Sequence, residues 1–321
     1  MARRRNQISQ EQLHPQRPVI HNIDDFDSAL HLFLRESKVR NLSEFTTRYY
    51  RQQLELFRKH LERQQQPTNP AKITDAMIKE NIILYMMDRG NKEKTINTLL
   101  RAVRTFFNYL VNESYLLRNP MENVKLLKHK KTIIQTFTRE QIHSLLAQPN
   151  RGTFVGLRNY TIILLFIETG VRAKELENIR MDDIKWNENL ILIREGKGYK
   201  ERHVPIQATM KRELQKYVNL RGQLDIDILF VNIDNGPLAK RQIQQMMNEY
   251  GKAANITNVR CSPHTLRHTF AKMSVQNGAN VFALQAVLGH TSLDMVRNYV
   301  NMFSSDVLEA HRKFSPVEKL F

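Results

Sequence analysis

Apolar side chains recur with a helical period along the first part of the chain. In residues 94–110, KTINTLLRAVRTFFNYL, seven apolar positions fall on one arc at about 100° per residue. They are Ile96, Leu99, Leu100, Val103, Phe106, Phe107 and Leu110. A second run, NLSEFTTRYYRQQLELFRKHL, offers Ser43 or Thr46 as an N-cap and carries apolar positions at the same period. The pattern over residues 25–115 therefore predicts a helical domain with one buried face on each helix.

The helical period breaks at Pro120, within RNPMENVKLLKHKKTIIQTFTREQ. We interpret residues 119–136 as a basic interdomain linker. Thr138 then fits the N-cap of a new helix. Further on, LILIREGKGYKERHVPI reads as two strands joined by a glycine-containing turn, which predicts a β-hairpin.

These patterns predict a mainly α protein with a small antiparallel β-sheet in its second domain. The expected helical domain covers residues 23–118 and the mixed α+β domain covers residues 137–303. A basic arm at residues 1–22 precedes them, read as flexible, with a disordered end of no function as the alternative. A tail at residues 304–321 follows.

The net charge of the chain indicates which class of molecule the protein binds. The 321 residues carry 49 Lys and Arg against 32 Asp and Glu, a formal net charge of +17. Such a surplus favours contact with a phosphate backbone, so nucleic acid is the expected partner. On the arc opposite the apolar stripe, Lys94, Arg101 and Arg104 are candidate phosphate contacts, although a solvated basic face remains the alternative. Lys128, Lys130 and Lys131 of the linker are further candidates.

No segment is typical of a membrane protein or an exported one. The longest purely apolar run, Ile162–Ile167, is far shorter than the roughly 20 residues of a spanning helix. The start, MARRRNQISQEQ, has cations but no apolar stretch after them. Cys261 is the only cysteine, so no intrachain disulfide can form. We expect a cytoplasmic protein.

The stretch PHTLRHTF places three polar residues, His264, Arg267 and His268, near the start of a predicted helix. Ser262 fits the N-cap and Pro263 the first helical position, so the first turn would project His264 and Arg267 where a helix favours an anion. Cys261, His264 and His268 also have the spacing of zinc ligands. Arg267 between them would repel a metal, so we expect no metal, and we read His268 as hydrogen-bonded in the core.

Further motifs occur in a recognisable order. ETGVRAKELENIR sets Arg172 shortly after a glycine, at the start of a helix, and GKGYKE puts Lys197 at the hairpin tip. VLGHTS places His290 after a glycine, and DMVRNYV carries Tyr299 nine residues later.

In this order the chain resembles the tyrosine recombinases, or phage-type integrases. Their pattern is an arginine, a hairpin lysine, His-x-x-Arg, a Gly-His and a tyrosine. Residues 25–115 resemble the family's SAM-like core-binding domain and residues 135–321 its catalytic domain, so the resemblance covers most of the chain. The region before residue 25 is too short for a separate arm-site domain, which favours the simple Xer-like or transposon-encoded members. Val296 departs from the small polar residue that relatives often have before the tyrosine.

The resemblance implies a catalytic set: Arg172, Lys197, His264, Arg267, His290 and Tyr299. The arginines and histidines would hold the non-bridging phosphate oxygens, and His264 would help to deprotonate Tyr299. Lys197 would protonate the leaving 5′ hydroxyl, and the tyrosine would form a 3′-phosphotyrosyl link without ATP or any cofactor. Glu175 could orient an arginine, anchor the floor of the active site or be a plain solvated carboxylate.

The family also implies an assembly. We expect a two-domain clamp on duplex DNA with inverted binding sites, and a homotetramer that exchanges strands through a Holliday junction. The tail would dock on a neighbouring protomer, with packing on its own domain as the alternative. The target sequence, any accessory proteins and the occasion, whether integration, excision or dimer resolution, stay open.

Three rival functions remain. A metal-dependent nuclease or transposase could use Asp182, Asp183 and Glu188, although adjacent acids after a helix are typical of a solvated turn. A DNA-binding regulator could retain the fold without catalysis. A P-loop ATPase is disfavoured because GKGYKE lacks the Walker spacing.

Overall fold

The computed structural model describes residues 23, 25–129, 135–194 and 201–289. The predicted arm, the hairpin tip and the tail lie outside the described residues. The chain divides into two compact units, Met1–Lys131 and Thr132–Phe321.

All the regular secondary structure in the described part of the first unit is helical. Its α-helices are α1 Phe26–Val39, α2 Glu44–Glu62, α3 Asp75–Met77, α4 Tyr85–Asp88 and α5 Glu93–Asn112. A 3-10 turn, Pro70–Lys72, precedes α3, and a π-helical stretch, Ile78–Leu84, joins α3 to α4. Of the two candidate caps, Ser43 is the one used: its hydroxyl accepts from the Thr46 amide at the start of α2.

The apolar stripe predicted on α5 forms the centre of this unit. All seven of its members are 0% exposed. Phe106 lies in an aromatic cluster, with ring centroids 5.4 Å from Phe26 and 5.6 Å from Phe33. Burial of a continuous apolar face holds the helices together, as the sequence pattern indicated.

The segment after α5 packs on the same unit. Met121 and Val124 are buried in its core. The Asn97 side-chain amide on α5 donates to the Leu127 carbonyl at 2.9 Å and accepts from the Leu127 backbone amide at 2.8 Å. One side chain therefore satisfies both backbone polar groups of Leu127. The first half of the predicted linker therefore belongs structurally to the first unit.

The second unit combines helices with one small sheet, as predicted. Its helices are α6 Arg139–Leu146, α7 Phe154–Thr169, α8 Ala173–Glu177, α9 Ala208–Arg221, α10 Lys240–Ala253, α11 Pro263–Gln276 and α12 Val281–Leu288. Its strands, β1 Ile184–Lys185, β2 Leu190–Ile193 and β3 Arg202–Pro205, form an antiparallel sheet in the order β1-β2-β3. Thr138 caps α6 through a capping box with Gln141.

The predicted hairpin is formed by β2 and β3. Its register pairs Leu190 with Pro205 and Ile193 with Arg202. Inward-facing Ile191, Ile193 and Val204 are buried, in the alternation expected of a strand with one covered face. The short strand β1, which the sequence pattern did not indicate, adds to the outer edge of β2.

Helix α7 runs through the middle of the second unit. It packs against α9 and α11 and contains the apolar run Ile162–Ile167. Apolar residues on all sides suit a helix surrounded by protein. Among the described helices, none combines the length and apolarity that crossing a membrane requires.

Gly170 ends α7 in a left-handed conformation with φ 60°. A Cβ there would lie 2.5 Å from the Phe270 ring on α11, so the close approach of the two helices requires glycine. This contact brings the start of α8 beside α11.

Candidate active site

Arg172 is the N-cap residue of α8, two residues after the glycine that ends α7. Its side chain is 31% exposed. Its Nη1 donates to Glu175 Oε1 at 2.6 Å, and its backbone amide donates to Glu175 Oε2 at 2.8 Å. The guanidinium is thus held at one edge by a carboxylate one turn into the helix.

Glu175, whose role the sequence left open, pairs with two arginines. It is only 4% exposed, which excludes a solvated side chain. Arg202 of β3 approaches it from the other side, donating from Nη1 to Oε1 at 3.1 Å and from Nη2 to Oε2 at 2.8 Å. Burial alone would raise the pKa of Glu175, but the hydrogen bonds and charges of Arg202 and Arg172 lower it. The carboxylate therefore stays ionised between two arginines.

Helix α11 begins as predicted. Ser262 is its N-cap, accepting from the Thr265 amide, and Pro263 is its first residue. Arg267 differs from the expected open face, because it is 3% exposed. Its Nη1 donates to the Gly170 carbonyl at 2.6 Å and its Nη2 to the Leu288 carbonyl at 2.7 Å. These two bonds tie α11 to the ends of α7 and α12.

His264 and His268 lie one turn apart on α11. Their Nε2 atoms are 2.9 Å apart and their rings meet edge to face. His268 is buried, in agreement with the predicted core hydrogen bond, whereas His264 is exposed. Burial, followed by His264 and Arg267, lowers the pKa of His268 to about 4. At neutral pH the pair is uncharged, so one ring donates to the other.

Three of the predicted residues meet in this corner of the second unit. His264 precedes Arg267 by three residues on α11, and burial, followed by the charges of Arg267, Arg172 and Arg260, lowers the pKa of His264. Arg172 and Arg267 are far apart in the chain but are joined through Gly170. Two guanidinium groups and the exposed imidazole of His264 are donors of the kind that suits a phosphate.

The alternative metal sites are not assembled. Within residues 25–129, 135–194 and 201–289, no cluster of three or more His, Cys, Asp or Glu could hold a metal ion. Cys261 is a core residue that packs under α10, where a Cβ on Gly251 would lie 2.3 Å from its Sγ.

Of the acidic residues that a nuclease could use, one is buried in an ion pair and two are exposed to solvent. Asp183 is fully buried and accepts from Arg194 Nε at 2.5 Å and from the Arg180 amide at 2.9 Å. Asp182 and Glu188 are exposed. Asp183 ends the 3-10 turn Met181–Asp183 before β1, and its bond to Arg194 anchors this turn beside β2.

The candidate phosphate contacts of the first unit have different environments. Lys94, Arg101 and Lys128 are exposed. Arg104 is half-buried, and its Nη2 donates to the Val124 carbonyl. Part of its hydrogen-bonding capacity therefore serves the fold of the first unit.

The remaining candidates are Lys130, Lys131, Lys197, His290 and Tyr299, which lie outside the described residues.

Sequence reasoning missed Arg202. The available signal was its position on the strand, because Arg202, Val204 and Ile206 alternate on the face that turns inward. An arginine in an otherwise apolar set of that kind needs a buried acceptor. Only the fold reveals that the acceptor is Glu175.

Both units match known domains. Residues 135–305 match the phage integrase family, and residues 30–114 match the phage integrase N-terminal SAM-like domain.

Individual relatives match along most of their length. The tyrosine recombinase XerC of Thermodesulfovibrio yellowstonii is 30% identical over 285 residues, which cover 86% of this chain and 92% of the relative. The tyrosine recombinase XerD of Staphylococcus haemolyticus is 29% identical over 282 residues, covering 86% and 94%.

Two solved structures share the fold. The Tn1549 transposon integrase in complex with transposon right end DNA aligns with a TM-score of 0.71 and 20% identity, over 89% of this chain and 98% of that one. The XerH site-specific recombinase bound to a palindromic difH substrate aligns with a TM-score of 0.71 and 21% identity, over 89% and 84%.

Proposed function

This chain belongs to the phage integrase family of tyrosine recombinases, and from that premise we propose that Arg172, His264 and Arg267 hold the phosphate that Tyr299 attacks. The protein is a site-specific DNA recombinase that cleaves and rejoins DNA through a tyrosine. The observation that carries the proposal is the bond from Arg267 Nη1 to the Gly170 carbonyl at 2.6 Å, because it joins α11, which also carries His264, to the chain two residues before Arg172.

The two arginines stabilise negative charge as the phosphate becomes pentacoordinate. Planar guanidinium groups match the spacing of phosphate oxygens, and Glu175 fixes one edge of Arg172 so that its other edge faces outward. Arg267 is held by two carbonyls, so little reorganisation accompanies the reaction. His264 and His290 supply further hydrogen bonds to the same oxygens.

The cleavage step exchanges one phosphodiester for another. The Tyr299 hydroxyl loses its proton, with the help of His264, and its oxygen attacks phosphorus. The bond from phosphorus to the 5′ oxygen breaks, and Lys197 gives that oxygen a proton. A 3′-phosphotyrosyl link preserves the bond energy, so a 5′ hydroxyl from a second strand can reverse the step without ATP.

The substrate that we propose is duplex DNA with inverted binding sites, contacted by both units. Lys94, Arg101, Lys128, Lys130 and Lys131 would contact its phosphates, together with the exposed edge of Arg104. Four protomers would bring two sites together and resolve them through a Holliday junction. Because the substrate is DNA, we place the reaction in the cytoplasm, for integration or excision of a mobile element or for resolution of a replicon dimer.

The test is covalent capture. Labelled duplexes nicked near candidate sites from the neighbouring DNA are incubated with protein in EDTA, then separated on a denaturing gel. We expect a slowly migrating protein–DNA adduct with wild-type protein and none with Tyr299→Phe.

A matched tyrosine variant controls for loss of a phenol elsewhere in the second unit. Tyr160→Phe retains the ring that Arg151 covers at 4.3 Å and should form the adduct normally. Strong DNA binding without an adduct on any nicked substrate would favour the non-catalytic regulator. Activity that disappears in EDTA would favour the metal-dependent nuclease.

A further inference from the structure

Arg202 lies between three elements that carry or precede proposed catalytic residues. It is the first residue of β3, its side chain is 10% exposed, and the hairpin turn that contains Lys197 precedes it. Its Nε donates to the Val287 carbonyl at 2.8 Å, near the end of α12. Its Nη1 and Nη2 donate to the two oxygens of Glu175. All three nitrogens of one guanidinium are therefore hydrogen-bonded.

The bonds continue from Glu175 to Arg172. The same carboxylate accepts from the Arg172 amide at 2.8 Å and from Arg172 Nη1 at 2.6 Å. A continuous path thus runs from the Val287 carbonyl through Arg202 and Glu175 to Arg172. Because Glu175 is buried, its position depends on both arginines, and loss of either would leave a poorly compensated charge.

Gly289 makes room for this arrangement. A Cβ on Gly289 would lie 2.9 Å from Arg202 Nη1 and 3.0 Å from its Cδ and Cζ. The glycine also has φ 63° and ends α12, one residue before His290 in the sequence. The absence of a side chain at Gly289 therefore leaves a space that the Arg202 side chain occupies.

We propose that Arg202 is a positioning residue for DNA cleavage, acting through Glu175 to fix the Arg172 guanidinium against the phosphate. This inference rests on the proposed function of Arg172. The geometry requires arginine, because Nε reaches a carbonyl on one side while the two terminal nitrogens hold a carboxylate on the other. Lysine has the charge but a single nitrogen, so it cannot make both contacts in one plane.

The decisive comparison is between Arg202→Lys and Arg194→Lys. Arg194 lies on the same hairpin and pairs with the buried Asp183, at a site separate from Arg172. Single-turnover cleavage of a nicked substrate is measured at saturating protein, alongside the dissociation constant for DNA and the thermal unfolding midpoint. We expect Arg202→Lys to lower the cleavage rate constant about 100-fold with DNA affinity within about threefold of wild type. Arg194→Lys should cleave at nearly the wild-type rate.

A double-mutant cycle with Glu175→Gln tests the route. If Arg202 acts through Glu175, the double variant should cleave no more slowly than the slower single variant. Additive losses would overturn the route through Glu175. Cleavage by Arg202→Lys within about threefold of wild type would overturn the proposal, as would losses of rate, affinity and thermal stability that match those of Arg194→Lys.

Failure of this inference is distinguishable from failure of the proposed function. If wild-type protein forms no adduct, or if Tyr299→Phe still forms one, the assignment of the nucleophile is wrong. If wild-type protein forms a Tyr299-dependent adduct and Arg202→Lys forms it equally fast, only the positioning role is wrong.

Discussion

The two units bury different kinds of residue. In the first unit the buried polar residues within the described part are Ser37, His60 and Asn97, and its centre is aliphatic and aromatic. The second unit buries several charged side chains: Arg158, Glu175, Asp183, Glu213, Arg221 and Arg267. Because an isolated buried charge is costly, each must have hydrogen-bonding partners in a defined geometry. The first unit is stabilised by packing, whereas the second also holds buried charges in place, and the proposed phosphate contacts Arg172 and Arg267 depend on them.

Truncation of the aromatic core should have the largest effect on the first unit. Phe106→Ala removes a ring that contacts Phe26, Phe33 and Phe107, and it should lower the free energy of unfolding by about 3–5 kcal/mol. Urea unfolding of the full chain measures the change. Phe45→Ala is the control, because Phe45 is 81% exposed, and it should change stability by less than about 0.5 kcal/mol. Equal losses of stability in Phe106→Ala and Phe45→Ala would contradict the conclusion that packing around Phe106 stabilises this unit.

Substitution of two buried arginines in the second unit distinguishes a role in cleavage from a role in stability. Arg267→Lys should lower the single-turnover cleavage rate by about 10²–10³-fold, because it removes a planar donor from the phosphate. Arg221 is also buried and donates to the carbonyls of Gly222, Ile226 and Ile228. Arg221→Lys should therefore lower the unfolding midpoint while the folded protein cleaves at nearly the wild-type rate. Comparable losses of rate in the two variants would mean that the loss in Arg267→Lys comes from disturbing the fold and not from removing a phosphate contact.

Lowering the pH should decrease the stability of the second unit, because His268 is protonated more readily in the unfolded chain. Its pKa falls from 6.5 to about 4 in the folded protein, so the unfolded chain binds more protons between these values. The contribution of His268 to the free energy of unfolding is therefore fully present above about pH 6.5 and decreases as the pH falls. This histidine contributes roughly 2 kcal/mol of that decrease by pH 5.

Urea unfolding at pH 7.5 and pH 5 checks this prediction with His268→Gln, which should lose less stability between the two pH values than wild-type protein does. His31→Gln is the control, because His31 is exposed on α1. An identical pH response in wild-type protein and His268→Gln would exclude the buried pair as its source.

The smallest effect is expected from the basic surface of the first unit. Lys94→Gln removes one proposed phosphate contact, so the slope of log affinity against log salt should decrease by about 0.9. Filter binding over a range of salt concentrations measures the slope. Lys38→Gln changes an exposed lysine at the end of α1 and should leave the slope unchanged if the contacts lie on α5. Equal slopes for both variants would mean that the phosphates lie elsewhere.

Much of the fold was predictable because it follows local rules. The period of α5, the caps Ser43, Thr138 and Ser262, and the hairpin all depend on residues close in sequence. The strand β1 was not predicted, because two residues carry no recognisable alternation.

The site was predictable only in part. The motif order indicated Arg172, His264 and Arg267, but their partners depend on contacts across the fold. Arg202 meets Glu175 across 27 residues of sequence, and Arg267 meets Gly170 across 97. The same limit explains Arg267, whose place on the helical wheel gave no sign that α7 and α12 would cover it.

The buried thiol under α10 gives this recombinase a practical property. Cys261 is the only cysteine in the sequence, it is 9% exposed, and burial raises the pKa of its thiol. Since maleimide dyes react with exposed thiolates, a cysteine introduced at the surface would be labelled selectively without first replacing the native one. Fluorescent donor and acceptor protomers could then be prepared from the natural background. Energy transfer between them would test whether protomers assemble on DNA as proposed.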